Sequence, residues 1–384
     1  MKNLFLLDKD IIYLNHGSFG ATPKPIFDDY VNWQKKLENQ PVNFIEKKLP
    51  NSLLKSRTSL ANYINCSKDD IVFFPNPTTA INTIIKSLKI GKNDIVLSTN
   101  HEYGALKRSW KYYSQKRFFH FQMQKISLPI IDKKQFLKDF WSGFTKEVKI
   151  IFISHITSET ALIFPVKEIC KKARELGILT IIDGAHVPGH IPLDIADLKP
   201  DFYIGACHKW MCAPKGVSFL YADQTLQALI DPLVVSWGWE SDRPSHSKFL
   251  DYHQWQGTND MSAYLTIPFV INFLKNNNWE SHSKECKNKI IDTSSYIMDL
   301  LNIKPISPLN NQWLGQMCSI PLNIINFEQF RIELYEKYKI EIPIFKFENY
   351  IFLRLSINVY NSDKEIDFFV NAIKNLLPKY VTNR

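Results

Sequence analysis

PVKEICKKARELGILTIID, residues 165–183, joins a helical segment to a buried strand and indicates the kind of fold. A proline opens the helical part (165–177) and a glycine closes it, as at many natural helix ends. The part that follows, GILTIID (177–183), is an almost continuous apolar run, which is typical of a strand covered on both faces. The stretch therefore predicts an α/β unit that belongs to a parallel sheet.

The same pattern recurs on both sides of this stretch. Six further β-branched or aromatic runs predict strands, namely IVFF (71–74), DIVLS (94–98), FFHFQ (118–122), KIIFIS (149–154), DFYIG (201–205) and VSFLY (217–221). Helices are predicted between them at 78–89 and 105–116. We therefore expect an α/β fold whose mostly parallel sheet has helices on both faces.

The pattern changes near residue 262. Longer helical segments follow from there, and a strand is predicted at YIFLRLSI (350–357). This change predicts a second, smaller α+β domain. We expect a large domain over residues 1–255, which includes an N-terminal arm, and a small C-terminal domain over residues 256–384.

Composition narrows the class of protein. The chain has 384 residues, of which 45% are hydrophobic, and no run approaches the roughly 18 apolar residues that span a bilayer. The formal charge of +9 is dispersed, which favours a solvated surface over a nucleic-acid partner but leaves room for a small anionic ligand. The six cysteines form no Cys-x-x-Cys pair, which favours reduced thiols. We expect a cytoplasmic protein with no membrane or nucleic-acid partner.

Polar side chains follow five of the predicted strands. Ligands of open parallel sheets bind at the carboxyl ends of the strands, so these positions are the candidate site. They are Asn76–Thr79, His101–Tyr103, His155–Thr160, Asp183 with His186, and Cys207–Lys209.

Asp183 and Lys209 carry the chemistry of this site. Asp183 ends a buried strand, where its charge is costly unless a cation faces it. A structural salt bridge to Lys209 is one explanation, and a cofactor held between the two residues is the other. Pyridoxal phosphate requires a partly desolvated lysine for its aldehyde and an acid for its ring nitrogen. Thr78 and Thr79, at a helix N-terminus, could hold its phosphate, and Tyr103 could cover its ring.

Other site classes find less support. The sequence contains no G-x-G-x-x-G after a strand, no P-loop and no G-x-S-x-G elbow. His186 and His190 have metal-pair spacing, but the Pro188-Gly189 pair breaks the helix that would align them. Cys207 and Cys212 are interpreted as small buried residues. A basic nucleic-acid-binding protein is the alternative of a different class, and it leaves Asp183 and Lys209 unexplained.

The motifs together resemble a known family. YLNHGSFG, NPTTAIN, HEYGA, SHITSETALIFPV, DGAHVPGHIPLD, CHKWMCAPKG, WQGTND and LRLSINVYN occur in this order over residues 11–362. The chain resembles the class V aminotransferase superfamily of fold-type I pyridoxal phosphate enzymes, and within it the isopenicillin N epimerase-like branch.

The resemblance implies a role for individual residues. Lys209 would bind the cofactor covalently, Asp183 would pair with the ring nitrogen, and His186 would lie beside the ring. Ser158 would approach the ring hydroxyl, and Tyr103 would stack on the ring. The phosphate-binding positions of the family match Thr78, Thr79 and His208.

Further matches concern the substrate and a partner subunit. Gln256, Gly257 and Thr258 match a loop that reaches the phosphate of the neighbouring subunit, which implies a homodimer with shared active sites. Arg354 matches the arginine that takes the substrate carboxylate. His16 matches a residue near the substrate, although a purely local role is also open.

Two departures bear on activity. Ala206 stands where many relatives have Ser or Asn, so one phosphate hydrogen bond is missing or comes from elsewhere. No cysteine lies between Cys318 and Arg354, where cysteine desulfurases carry their nucleophile. We therefore expect an enzyme that acts at Cα of an amino acid or derivative, as an epimerase or C–S lyase, with an aminotransferase as the alternative and a desulfurase disfavoured. An epimerase would need a second acid, for which Tyr103 and His16 are the candidates.

Overall fold

The computed structural model describes residues 1–381, and a seven-stranded sheet forms its centre. The strands are β1 (Ile71–Phe74), β2 (Ile95–Thr99), β3 (His120–Gln124), β4 (Val148–Ser154), β5 (Leu179–Gly184), β6 (Phe202–Ala206) and β7 (Ser218–Ala222). Their order across the sheet is β1-β7-β6-β5-β4-β2-β3. β7 runs opposite to the other six strands, which are all parallel to one another. The predicted fold class is therefore confirmed.

The sheet separates two apolar cores. Successive residues of a strand point to opposite faces, and in β4 Phe152 packs into one core while Ile151 and Ile153 pack into the other. Helices cover both faces. Those of the first 260 residues are Lys24–Asn39, Leu49–Ile64, Pro77–Ser87, Gly104–Arg117, Lys133–Trp141, Val166–Glu175 and Lys248–Gln254, with short turns at His16–Phe19, Pro41–Asn43 and Ile195–Leu198.

The observed bounds differ from the predicted ones by one or two residues, and local geometry explains the shifts. The predicted strand 118–122 begins only at His120, because Phe118 ends the preceding helix in a left-handed conformation with φ +62°. The predicted helix 78–89 ends at Ser87, because Leu88 is extended. Asn76 caps this helix, and its side chain accepts from the Thr79 N–H at 2.8 Å.

The C-terminal part contains a second, antiparallel sheet. Strands β8 (Met317–Leu322), β9 (Ile344–Phe347) and β10 (Tyr350–Ser356) lie in the order β9-β10-β8. The helices of this part are Ser262–Leu265, Ile267–Asn276, Trp279–Leu300, Phe327–Tyr338 and Asp363–Leu376. The division of the chain at residues 255/256 stays a prediction.

The N-terminal segment connects the two parts. Ile12–Tyr13 pairs in parallel with Ile340–Glu341, and Leu14 accepts a hydrogen bond from the Ser356 N–H at 3.1 Å. These contacts hold the turn at His16–Phe19 between the C-terminal sheet and the loop after β6. No helix among residues 1–381 is long and apolar enough to cross a membrane.

Candidate active site

Lys209 lies in the loop directly after β6. Its Nζ is 3.1 Å from Nε2 of His186. Burial, together with the positive charge of Arg354, lowers the pKa of Lys209 to about 8, against the raising effect of Asp183. A lysine with such a pKa is uncharged in roughly one molecule in ten at pH 7, compared with fewer than one in a thousand for an exposed lysine. Its amine is therefore available as a nucleophile.

Asp183 lies near the end of β5, and its partner in the register of β6 is Ile204. The side chain is buried, and one carboxyl oxygen accepts from the Ala185 N–H at 3.0 Å. Burial raises the pKa of Asp183, against the effects of that hydrogen bond and of Lys209. A buried carboxyl group at this position is suited to a ligand atom that carries a proton or a positive charge.

Glu102 is a second buried acid near this strand end, and sequence reasoning gave it no role. Its carboxyl accepts from the Thr99 hydroxyl at 2.7 Å and from the N–H and hydroxyl of Ser154 at 2.8 and 2.5 Å. Burial raises its pKa to about 8, and the charge of Asp183 contributes. The available signal was an acidic residue three positions after the end of β2 at Thr99.

His186 is held between two side chains. The Trp210 indole donates from Nε1 to His186 Nδ1 at 3.4 Å, while Nε2 faces Lys209. His190 does not form a metal pair with it. Nδ1 of His190 instead bonds to the His186 carbonyl at 2.8 Å, and its ring stacks on Trp210. Burial lowers the pKa of His186 well below its usual value, as do nearby positive groups, Lys209 first among them.

The residues assigned to the phosphate offer fewer donors than the motif suggests. Both the N–H and the hydroxyl of Thr79 are bonded to Asn76, at 2.8 and 3.0 Å. Thr78 lies in the first turn of the helix, where backbone N–H groups form no hydrogen bonds within the helix and can point toward a ligand. His208 bonds through Nδ1 to the Val217 carbonyl at 3.0 Å, so its Nε2 can donate to an anion only when the ring is protonated.

Ala206 is fully buried and lies opposite Ser218 of β7. Its register partner Ser218 carries a hydroxyl that could replace the hydrogen-bonding side chain that Ala206 lacks. It donates instead to the Phe74 carbonyl at 3.0 Å. Ser218 therefore does not supply the absent phosphate hydrogen bond in this arrangement.

Arg354 lies in β10 and is almost completely buried. Its Nη1 donates to the carbonyl and hydroxyl oxygens of Ser158 at 2.6 and 3.1 Å, and its Nη2 donates to the Ser18 hydroxyl at 2.8 Å. Nε is buried and has no partner among residues 1–381. Burial lowers the pKa of Arg354 to about 10, against the raising effect of Glu159. A buried guanidinium with an unused N–H is suited to a carboxylate ligand.

The resemblance implies that His16 lies near the substrate, and in the structure His16 lies against the backbone of Lys209. It is fully buried, its Nδ1 lies 3.0 Å from the Tyr360 hydroxyl, and its Nε2 lies 3.1 Å from the Lys209 carbonyl. Burial lowers its pKa to about 3. Both ring nitrogens are thus engaged by protein, and the ring holds the backbone of Lys209. Next to it, Gly20 has φ +68° and touches the same backbone, where a side chain would collide.

The remaining predicted residues lie at the surface of the chain. Tyr103 is 46% exposed and immediately precedes the helix Gly104–Arg117. It lies near Arg354, whose pKa an ionised Tyr103 would raise. Thr258 is exposed, and Gly257, with φ +116°, has no atom within 4 Å of where a side chain would begin. This loop is open to contact from outside the chain.

These groups fit pyridoxal phosphate. Lys209 offers an amine that is partly uncharged, Asp183 offers a buried carboxyl, and Arg354 offers an N–H that no protein group uses. The first suits the aldehyde, the second the ring nitrogen and the third a carboxylate on the substrate.

The comparisons with known proteins agree with this fit. The chain is 27% identical to isopenicillin N epimerase of Amycolatopsis lactamdurans over 96% of both chains. It is 25% identical to hercynylcysteine sulfoxide lyase of Schizosaccharomyces pombe, with 98% of this chain and 96% of that protein covered. A probable chloroplastic L-cysteine desulfhydrase of Arabidopsis thaliana is 26% identical, with 96% and 84% covered.

A solved structure shares the fold. The apo structure of a cysteine desulfurase from Thermococcus onnurineus NA1 superposes with a TM-score of 0.84 at 18% identity, over 98% of this chain and 97% of that chain. The family model for aminotransferase class-V matches residues 12–369. The resemblance predicted from the motifs is confirmed: the chain belongs to the class V aminotransferase family and is a pyridoxal 5′-phosphate-dependent enzyme.

Proposed function

We propose that this enzyme acts at Cα of an amino acid or amino-acid derivative, with Lys209 as the cofactor lysine and as the group that moves the Cα proton. The supporting observation is the buried Lys209 amine, with its pKa lowered to about 8, close to Asp183. When bound, pyridoxal phosphate supplies an aldehyde for covalent attachment and a ring that withdraws electrons from Cα.

The other residues would bind and orient. Asp183 would hold a proton at the ring nitrogen, and His186 would lie at the edge of the ring. Arg354 would bind the substrate carboxylate through its unpartnered Nε–H, and Ser158 would orient that guanidinium. Tyr103 would cover the ring, while the phosphate would lie at Thr78, Thr79 and His208.

The choice between epimerase and C–S lyase depends on a second acid. Epimerisation needs a proton donor on the far side of Cα, whereas C–S cleavage needs one base at Cα and a leaving group on Cβ. His16 is unsuited to be that donor, because protein groups occupy both ring nitrogens and its pKa is lowered to about 3. Tyr103 is the remaining candidate. Isopenicillin N epimerases and C–S lyases both occur among the relatives, so both reactions stay in the proposal.

Incubation of amino-acid panels in deuterated water separates the reactions. Deuterium at Cα with loss of chirality identifies an epimerase. A keto acid with ammonia, and sulfide from a thiol substrate, identifies a lyase. A keto acid with an aminated cofactor identifies an aminotransferase. If no panel member exchanges its Cα proton in enzyme that carries the cofactor, the proposed action at Cα is wrong.

We further propose a cytoplasmic homodimer whose active sites are shared through Gly257 and Thr258. Besides the open loop, Val235 and Trp237 expose 66% and 83% of their surfaces in the preceding segment, which is unusual for large apolar side chains. Light scattering tests the dimer. Mixing inactive Lys209→Ala with inactive Thr258→Ala subunits should restore about a quarter of wild-type activity if each site draws on both chains. No recovery after verified subunit exchange contradicts shared sites.

A further inference from the structure

Trp210 follows the cofactor lysine in the sequence and is almost completely buried. Two histidine rings lie against its indole. The His190 ring stacks at a centroid distance of 4.0 Å and an interplanar angle of 22°, and the His16 ring lies at 4.8 Å and 51°. His16 in turn bonds to the Lys209 carbonyl. The orientation of the indole is therefore fixed relative to the backbone of the lysine.

The indole determines which nitrogen of His186 carries hydrogen. Trp210 Nε1–H can only donate, so the His186 Nδ1 that it contacts at 3.4 Å must present its lone pair. A neutral imidazole with an unprotonated Nδ1 carries its hydrogen on Nε2. That Nε2 is the atom 3.1 Å from Lys209 Nζ.

An N–H group at this position discriminates between the two forms of the lysine. An ammonium has only hydrogen-bond donors, so it cannot accept from the Nε2–H, and the hydrogens of the two groups would face each other. An uncharged amine has a lone pair and can accept. The hydrogen bond is therefore formed only when Lys209 is in the form that attacks an aldehyde.

We propose that Trp210 is a positioning residue: by fixing the tautomer of His186, it favours the uncharged amine of Lys209. The proposal rests on the proposed role of Lys209 as the cofactor lysine. Without the Trp210 indole, His186 could present an unprotonated nitrogen to Lys209 and accept a hydrogen bond from its ammonium form.

The other charged groups at Lys209 and His186 act in addition to this hydrogen bond. Asp183 raises the pKa of Lys209, while burial and Arg354 lower it. The positive charge of Arg354 favours a neutral His186 ring. His190 and His208 also lie near His186 but add no charge at neutral pH, because burial lowers their pKa values to about 3 and about 4. None of these groups changes in the substitution that tests the proposal.

The test measures the titration of Lys209 in the full-length protein freed of cofactor. A small acylating reagent is applied over a pH series, and mass spectrometry of the Lys209 peptide gives the midpoint. Trp210→Phe should raise the midpoint by roughly 0.5 to 1 pH unit, the shift produced by one net hydrogen bond. Trp110→Phe is the matched control, because this buried indole N–H has no partner among residues 1–381.

A double-mutant cycle separates the hydrogen bond from a packing effect. In a His186→Ala background, Trp210→Phe should leave the midpoint unchanged. An equal shift in that background, or the same midpoint for Trp210→Phe and Trp110→Phe, would overturn the proposal. Failure here is distinct from failure of the proposed function, which would show as cofactor fixed at a residue other than Lys209 in the wild-type protein.

Discussion

Replacing Arg354 by glutamine removes the buried cation that we assign to the substrate carboxylate. The guanidinium is fixed by Ser158 and Ser18 and keeps one unpartnered Nε–H. Its charge, geometry and burial are those of a desolvated carboxylate site. Glutamine retains a hydrogen-bonding side chain of moderate length and loses the charge.

The expected loss follows from the burial of the charge pair. Truncating one partner of a buried, hydrogen-bonded ion pair costs about 2–5 kcal/mol in binding. This corresponds to a decrease in kcat/KM of roughly 30- to 5000-fold for a substrate that carries a carboxylate. Loss of the bonds to Ser158 and Ser18 costs some stability as well. Arg57→Gln is the matched control, because Arg57 is equally buried and bonds to Lys68 and Gln254 away from the site.

The assay compares two ligands in each variant. One is an amino acid that the enzyme turns over, and the other is the corresponding amine without the carboxylate. Arg354→Gln should weaken binding of the amino acid, measured by the change in the visible spectrum of the enzyme, and should leave the amine almost unaffected. Arg57→Gln should affect neither ligand. Equal losses for the amino acid and the amine in Arg354→Gln would refute the assignment.

Three further predictions concern pH, thiols and the N-terminal turn. Glu102 has its folded-state pKa raised to about 8, so its contribution to stability is complete below its unfolded pKa of 4.5 and is lost as pH rises through about 8. Between these two pH values, Glu102 should make the free energy of unfolding, measured in urea, fall by up to about 1.4 kcal/mol per pH unit. Glu102→Gln should remove this part of the decline, and an unchanged slope of unfolding free energy against pH would contradict the prediction. Burial raises the pKa of the Cys66 and Cys212 thiols to about 12. Ellman's reagent should therefore react slowly with the cysteines of the native protein. Rapid labelling of a buried thiol would contradict this prediction. Gly20→Ala should lower the free energy of unfolding by more than Gly177→Ala, because both glycines have φ near +67° but only Gly20 abuts the backbone of Lys209. Equal losses in the two variants would show that backbone strain alone is responsible.

The sequence predicted the central sheet well because six of its seven strands are largely buried on both faces, the edge strand β3 being the partly exposed one. Continuous apolar runs such as KIIFIS can be recognised without knowledge of their neighbours. The helices Lys24–Asn39 and Leu49–Ile64 were not predicted, since they lie outside the alternation of strands and helices that guided the interpretation. Their packing depends on partners far away in the chain, such as the helix Ile267–Asn276.

The chemistry of the site was predictable in part. Lys209 and Asp183 stand out because charged residues follow buried strands. The geometry around His16 was not predictable, because its two partners, Tyr360 and the Lys209 carbonyl, lie far from it in the chain. The same holds for Glu102, whose hydrogen bonds reach Ser154 on another strand. Side-chain networks that join distant segments leave little trace in local sequence.

Reduction of the cofactor-loaded enzyme with borohydride tests the central claim most directly. The visible absorbance of the bound cofactor should disappear, and peptide mass spectrometry should find the reduced cofactor on Lys209. Lys209→Ala should show neither the reducible absorbance nor the labelled peptide, although its fold, followed by circular dichroism, should be retained. Reduced cofactor on another lysine, or an unchanged reducible band in Lys209→Ala, would contradict the account.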